Sequence, residues 1–206
     1  MTKPTDFTPE EWVEIYQTPM FAAQLIMTRH RGALGKVSEM AAANAVMKDP
    51  FADEEFLEKL RNKSSFSALA SVTTKVSKED SKQEPPTAEL DTLEPAADVD
   101  APELIQYLVG EVRRTTRYTA LVDTPIDAKE LKSEAQIDQL LARIQKNAAV
   151  VEAKATPEEA DAWKLWVMHT AESAAKATVD KEHHKKVLLS EGEKAMLERI
   201  KQAINA

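Results

Sequence analysis

The chain contains no cysteine and only four glycines among its 206 residues. Without cysteine it has no disulfide framework, no zinc site built on thiolates and no cysteine nucleophile. The scarcity of glycine accompanies abundant alanine, leucine, glutamate and lysine, which are strong helix formers. Apolar residues also recur at helical rather than alternating spacing. The composition therefore predicts an all-α protein.

Long apolar runs are missing as well. The longest, MFAAQLIM at 20–27, is far shorter than the roughly 20 residues that a membrane-spanning helix needs. The first residues, MTKPTDFTPEEW, lack the basic and apolar regions of a secretory signal. We therefore expect a soluble, cytoplasmic protein without a membrane partner.

Acidic residues are concentrated in one stretch of the sequence. The net charge is −8, and residues 78–103 contribute −7 of it through nine acidic residues and two lysines. An overall negative charge argues against a nucleic-acid partner, because phosphates attract clustered lysine and arginine. The same stretch has four prolines and no helical stripe, which is typical of a segment that does not fold alone. It is expected to be flexible.

These features predict a single helical domain in three parts. N-terminal helices occupy 7–63, an acidic Pro-rich linker or insertion occupies 64–101, and C-terminal helices occupy 102–205. Each helical part supplies only a few amphipathic helices, so the two parts are expected to pack together around one core.

Several helix boundaries are marked by the sequence. A capping box, in which a hydroxyl residue and a glutamate three positions later satisfy free amides, is predicted at three places. The pairs are Thr8 with Glu11, Thr156 with Glu159, and Ser190 with Glu193. Pro19 predicts the end of a short first helix and the start of a second one capped by Thr18.

Three apolar stripes predict helices that each bury one face. The stripes are Ile137, Leu140, Leu141, Ile144, Ala148 and Val151; Trp163, Trp166, Val167, Thr170, Ala174 and Ala177; and Leu189, Met196, Leu197, Ile200 and Ile204. We interpret the two tryptophans as core residues rather than as a platform on which a ligand stacks. The architecture expected is an irregular helical bundle.

Three segments carry a resemblance to known proteins: FTPEEWVEIYQTPMFAAQLIM, ATPEEADAWKLWVMHTAESAAKA and LSEGEKAMLERIKQAI. They resemble the opening, penultimate and closing helices of a loosely defined group of small, all-helical, uncharacterised bacterial proteins. The chain departs from that group in the loop TVDKEHHKKVL, which tends to be Gly-rich there, and in its acidic segment. The resemblance implies a fold and no chemistry.

Histidines are the first candidates for chemistry. His169 and Glu172, one helical turn apart, form with His183 or His184 a conceivable set of metal ligands. On an unbroken helix, however, His169 and His183 would lie roughly 21 Å apart, and adjacent histidines point about 100° apart. Helix-end or solvated positions suit His183 and His184 better, since cationic groups complement a helix C-terminus. We expect no metal site and no cofactor.

One basic cluster, RRTTRY at 113–118, has an aromatic neighbour. Three interpretations remain: a docking site for an acidic partner or phosphate, a solvated face, or an internal partner for the acidic segment. The interaction candidates are Arg113, Arg114, Arg117 and Tyr118.

Motifs of the common enzyme classes are missing, including phosphate loops, nucleotide fingerprints and His-Glu-x-x-His. We therefore expect a non-enzymatic helical protein that binds a partner protein or acts as an adaptor. The alternatives are a structural subunit of a larger or oligomeric assembly, and a helical bundle that binds a small molecule or metal ion.

Overall fold

The structure, a computed structural model, describes residues 2–28, 33–63, 101–118, 133–177 and 189–206. At 33–37, 61–63 and 116–118 it describes the backbone alone. The α-helices are α1 (Pro9–Met27), α2 (Ala33–Lys48), α3 (Glu54–Lys63), α4 (Glu103–Tyr118), α5 (Glu134–Lys154), α6 (Pro157–Lys176) and α7 (Glu191–Ile204). Single 3-10 turns at Pro4–Asp6 and Pro50–Ala52 precede α1 and α3. No strand occurs in these described ranges, so the all-α prediction is confirmed.

Helix α6 is the centre of the bundle. It packs most extensively on α1 and α2 and also contacts α3, α4, α5 and α7. Trp163 and Trp166 on α6 are completely buried, as the sequence predicts. One hydrophobic core joins residues from both halves of the chain, with Ile15, Phe56, Leu108, Ile144 and Ile200 among its members.

The predicted capping boxes form at all three places. The hydroxyls of Thr8, Thr156 and Ser190 accept hydrogen bonds from the amides at Glu11, Glu159 and Glu193. A fourth box, Ser133 with Gln136, opens α5 and was not predicted. In each case hydrogen bonds between polar side chains and nearby backbone amides fix the residue at which the helix begins. The helix start can therefore be predicted from a few neighbouring residues.

Pro19 does not end a helix, and this prediction is wrong. Helix α1 continues through Pro19 to Met27. Proline has no N–H, so the carbonyl of Ile15, four residues earlier, loses its usual helical donor. The indole Nε1 of Trp163 on α6 donates to that carbonyl instead, at 3.3 Å. A tertiary hydrogen bond thus replaces the missing helical one.

A polar contact beside the proline ties α1 to α5. The buried Asn147 Nδ2 donates to the Glu14 carbonyl at 3.2 Å and to the Thr18 hydroxyl at 3.0 Å. Thr18 therefore is not a helix cap; its hydroxyl donates to the Glu14 carbonyl within α1 at 2.8 Å. The backbone around Pro19 is supported from two neighbouring helices.

Candidate functional site

Asp53 starts α3 and points toward α6. Its Oδ1 accepts hydrogen bonds from the amides of Glu55 at 2.9 Å and Phe56 at 3.3 Å, so it caps the helix. Its Oδ2 lies 3.0 Å from Nε2 of His169 on α6. One carboxylate thus fixes both the start of α3 and its position beside α6.

His169 is almost completely enclosed, with 1% of its surface exposed. Its imidazole lies against the ring of Phe56, with centroids 5.5 Å apart. The approach of Nε2 to Asp53 has the length of a hydrogen bond but not its direction, and among the described residues neither ring nitrogen has an aligned partner. A buried polar group without an aligned partner is costly and calls for an explanation.

Charged side chains surround the solvent side of this imidazole. The Lys59 ammonium bridges Glu55 on its own helix at 2.9 Å and Glu172 on α6 at 2.7 Å. Lys176 lies 3.1 Å from Glu55. Two carboxylates from different helices therefore converge on cations at the α3–α6 junction.

The ionisation of these groups follows from their contacts. Partial burial acts to raise the pKa of Asp53, but His169 and the backbone amides outweigh it and lower that pKa. Hydrogen bonds from Lys59 and then Lys176 lower the pKa of Glu55 from 4.5 to about 2. Burial acts to lower the pKa of Lys59, yet its hydrogen bonds to Glu172 and Glu55 raise it. Asp53 and Glu55 are thus carboxylates at neutral pH.

Three side chains of this junction share the geometry of a metal-ligand set. One nitrogen of His169 and one oxygen each of Glu55 and Glu172 lie within 4.8 Å of one another. An imidazole and carboxylates are ligands that suit divalent transition metals. We refer to Glu55, His169 and Glu172 as the junction cluster.

The sequence placed two members of the junction cluster together but missed the third. His169 and Glu172 are one turn apart on α6, whereas Glu55 comes from a helix more than a hundred residues earlier. The local signals on α3 were the capping position of Asp53 and the pair Glu55 and Lys59 at i, i+4. His183 and His184 lie outside the described residues.

The basic interaction candidates contact groups of their own chain. Arg113 donates through Nε to the Lys48 carbonyl at 2.5 Å and lies 3.0 Å from Asp49. It therefore closes the C-terminal end of α2, where the helix dipole favours a cation.

Arg114 lies 2.6 Å from Glu111, one turn earlier on α4. Both arginines retain partial exposure. The side chains of Arg117 and Tyr118, in the last turn of α4, are outside the described part. Their role in an interaction remains a prediction.

Comparison with protein-family models, with curated proteins and with solved structures gave no match. The resemblance to small helical bacterial proteins therefore stays a prediction. Within the described ranges, no helix combines the length and the apolarity required to cross a membrane.

Proposed function

We propose that the chain is a non-enzymatic, cytoplasmic helical protein that binds a partner protein through its acidic segment. The observation that carries this proposal is the charge distribution. Residues 78–103 contribute −7 of the net −8, so the rest of the chain is close to neutral. A concentrated charge of one sign steers a partner of the opposite sign and strengthens its association.

The helices on either side of the acidic segment support this proposal. Helix α3 is held to α6 by Asp53 at its start and by the bridge from Lys59 to Glu172. Helix α4 packs against α1, α2 and α6, and Arg113 connects it to the end of α2. The described helices that precede and follow the acidic segment in the sequence, α3 and α4, are thus both anchored in one bundle, which suits a scaffold that presents a charged segment.

The described surface supports binding by charge rather than by an apolar face. Among the large hydrophobic residues of the described part, Val13 is the exposed one, at 40%. Contiguous exposed apolar surface is the usual mark of an apolar docking site, and a single valine is not one. The partner expected is a protein with a basic surface.

The test compares matched charge variants of the full chain as bait in a lysate from its own cells. The segment variant neutralises Glu84, Glu89, Asp91, Glu94 and Asp98 to glutamine or asparagine. The control variant neutralises five exposed acidic residues of the helices: Glu10, Glu58, Glu158, Asp161 and Glu198. Retained proteins are identified and quantified by mass spectrometry.

We expect a stoichiometric protein to be retained by the wild type and the control variant and lost with the segment variant. Raising salt from about 0.1 M to about 1 M, which shortens the Debye length from about 10 Å to about 3 Å, should release it. Deleting 78–100 should also abolish retention while leaving helical circular dichroism and cooperative melting intact. Equal loss with both charge variants, retention without the segment, or unfolding on deletion would refute the proposal.

A second candidate function, a metal-binding helical bundle, is favoured by the junction cluster. It is independent of the acidic segment, because its side chains belong to α3 and α6. The two functions are compatible in one chain and separable by mutation.

A further inference from the structure

We propose that Glu55, His169 and Glu172 bind one divalent transition-metal ion at the junction of α3 and α6. The inference rests on the second candidate function, metal binding, and deepens it by assigning the ligands and the class of ion. It depends on three observations: the spacing of the ligand atoms, the buried imidazole, and a lysine ammonium that already lies between the two glutamates.

The spacing is close to what one ion requires. Ligand atoms about 2.1 Å from a tetrahedral metal lie about 3.4 Å from one another. In the junction cluster the three candidate atoms are within 4.8 Å of one another. Glu55 and Glu172 are partly exposed carboxylates on flexible side chains, so rotations that move each oxygen by about 1 Å close the set.

His169 supplies independent evidence for a ligand. It is 1% exposed, and within the described part of the chain both of its ring nitrogens lack an aligned hydrogen-bond partner. One of these nitrogens lies within 4.8 Å of a carboxylate oxygen of Glu55 and of Glu172, which is a position from which it can bind a shared metal ion. Coordination would satisfy that nitrogen and remove the cost of leaving it unpaired.

Lys59 shows that the two glutamates hold a cation in common. Its ammonium lies 2.9 Å from Glu55 and 2.7 Å from Glu172. The same ammonium is the natural competitor of a metal ion, because both occupy the space between the carboxylates. A divalent ion carries twice the charge of the ammonium and can coordinate both carboxylates and the imidazole nitrogen at once.

Asp53 completes the arrangement as an orienting group. Metal-binding histidines generally place a carboxylate beside their second ring nitrogen, which fixes the orientation of the ring. Asp53 Oδ2 lies 3.0 Å from Nε2, and its other oxygen is held by the amides that start α3. A carboxylate held at the start of α3 therefore already lies beside the imidazole.

The donor set defines the class of ion. One imidazole nitrogen with two carboxylates suits Zn²⁺ or Mn²⁺, whereas Mg²⁺ and Ca²⁺ prefer oxygen ligands alone. Since α3 and α6 each contribute ligands, a bound ion would link the two helices and stabilise the folded chain.

Calorimetric titration of Zn²⁺ into the full-length protein tests the site, with thermal melting as the second measurement. We expect one Zn²⁺ per chain, a higher melting temperature with Zn²⁺, and no comparable heat with Mg²⁺. His169→Gln should weaken Zn²⁺ binding at least about 100-fold, and Asp53→Asn about 10- to 100-fold. Lys59→Met should tighten binding about tenfold, because it removes the competing charge.

Lys59→Met is the decisive variant, because its effect on Zn²⁺ affinity differs between a metal site and a purely structural network of ion pairs. Removing the ion pairs of Lys59 lowers the stability of the metal-free protein in either case, but a purely structural network would gain no Zn²⁺ affinity. The matched control is Lys194→Met, which removes a lysine–glutamate pair on α7 that has no imidazole near it in the described contacts. It should leave the affinity unchanged.

Two further controls separate this site from other zinc-binding groups of the chain. The double variant His183→Ala/His184→Ala and the 78–100 deletion should both bind Zn²⁺ as tightly as the wild type. Loss of binding in either, or unchanged binding in His169→Gln and Lys59→Met, would overturn the proposal. Circular dichroism confirms folding of His169→Gln; if it fails to fold, Lys59→Met and Lys194→Met decide the question.

Discussion

The indole Nε1 of Trp163 donates a hydrogen bond to the carbonyl oxygen of Ile15, 3.3 Å away and 148 residues earlier in the chain. That carbonyl is the one that Pro19 leaves without a helical donor. The contact therefore joins the central helix α6 to the midpoint of α1.

Trp163→Phe should destabilise the protein by about 1–3 kcal/mol beyond the loss of ring volume, because it leaves a buried carbonyl unpaired. Chemical denaturation measures the difference. The matched control is Trp166→Phe, since Trp166 is equally buried on the same helix but its Nε1 has no hydrogen-bond partner among the residues that the structure describes. Equal losses in the two variants would show that the hydrogen bond contributes nothing.

Pro19→Ala should rescue part of the Trp163→Phe defect. Alanine restores an N–H at position 19 that can donate to the Ile15 carbonyl inside α1. In a double-mutant cycle we expect a coupling free energy of about 1 kcal/mol or more between the two positions. Strictly additive effects would mean that the indole does not substitute for the missing amide.

The buried carboxylate of Glu159 should stabilise the fold at neutral pH and lose this effect in acid. Burial acts to raise the pKa of Glu159, but hydrogen bonds from the hydroxyl and amide of Thr2 and from Thr156 prevail and lower it. Because the folded pKa is depressed, the carboxylate stabilises the fold above its unfolded value of 4.5. That stability is lost as the pH falls through the folded pKa.

Urea midpoints measured from pH 7 down to pH 3 check this prediction. Glu159→Gln should lower stability at pH 7 and flatten the acid dependence below pH 4.5. Glu158→Gln, at an exposed neighbouring position, is the control and should retain the wild-type profile. A wild-type profile in Glu159→Gln would assign the acid sensitivity to other carboxylates.

Asp53→Ala should release α3 from α6 without unfolding the bundle. The substitution removes a helix cap worth about 1 kcal/mol together with the contact to His169. Amide hydrogen exchange should accelerate in α3 and remain slow in α1 and α6. Glu58→Ala, an exposed substitution within α3, is the control; unchanged exchange in Asp53→Ala would contradict the proposed anchoring.

The sequence predicted the features of the fold that depend on near neighbours. Capping boxes require residues three apart, and the stripes of α5, α6 and α7 require only a helical repeat. The behaviour of Pro19 was predicted wrongly because its compensation comes from Trp163, which no local pattern indicates. The low helix propensity of proline does not end a helix when a hydrogen-bond donor from a distant part of the chain satisfies the carbonyl that proline leaves unpaired.

Only part of the candidate site could be predicted from the sequence, for the same reason. His169 and Glu172 were paired by their helical spacing, but Glu55 and Asp53 reach them only through the docking of α3 on α6. Lys59, which pairs with Glu55 and Glu172, is 113 residues from Glu172. His183 is excluded as a co-ligand of His169 because the two would lie too far apart on one helix. That exclusion does not apply to the junction cluster, whose third ligand, Glu55, comes from another helix.

The central position of α6 has a consequence for biosynthesis. Helix α1, with twelve buried residues, emerges from the ribosome early, yet its main neighbour ends only at Lys176. At a synthesis rate of roughly 5 to 20 residues per second, α6 is completed about 7 to 30 s after α1, and until then the apolar face of α1 lacks its main packing partner. During that interval the nascent chain exposes core surface that a chaperone can recognise, and ribosome-bound chains ending before α6 should be its substrates.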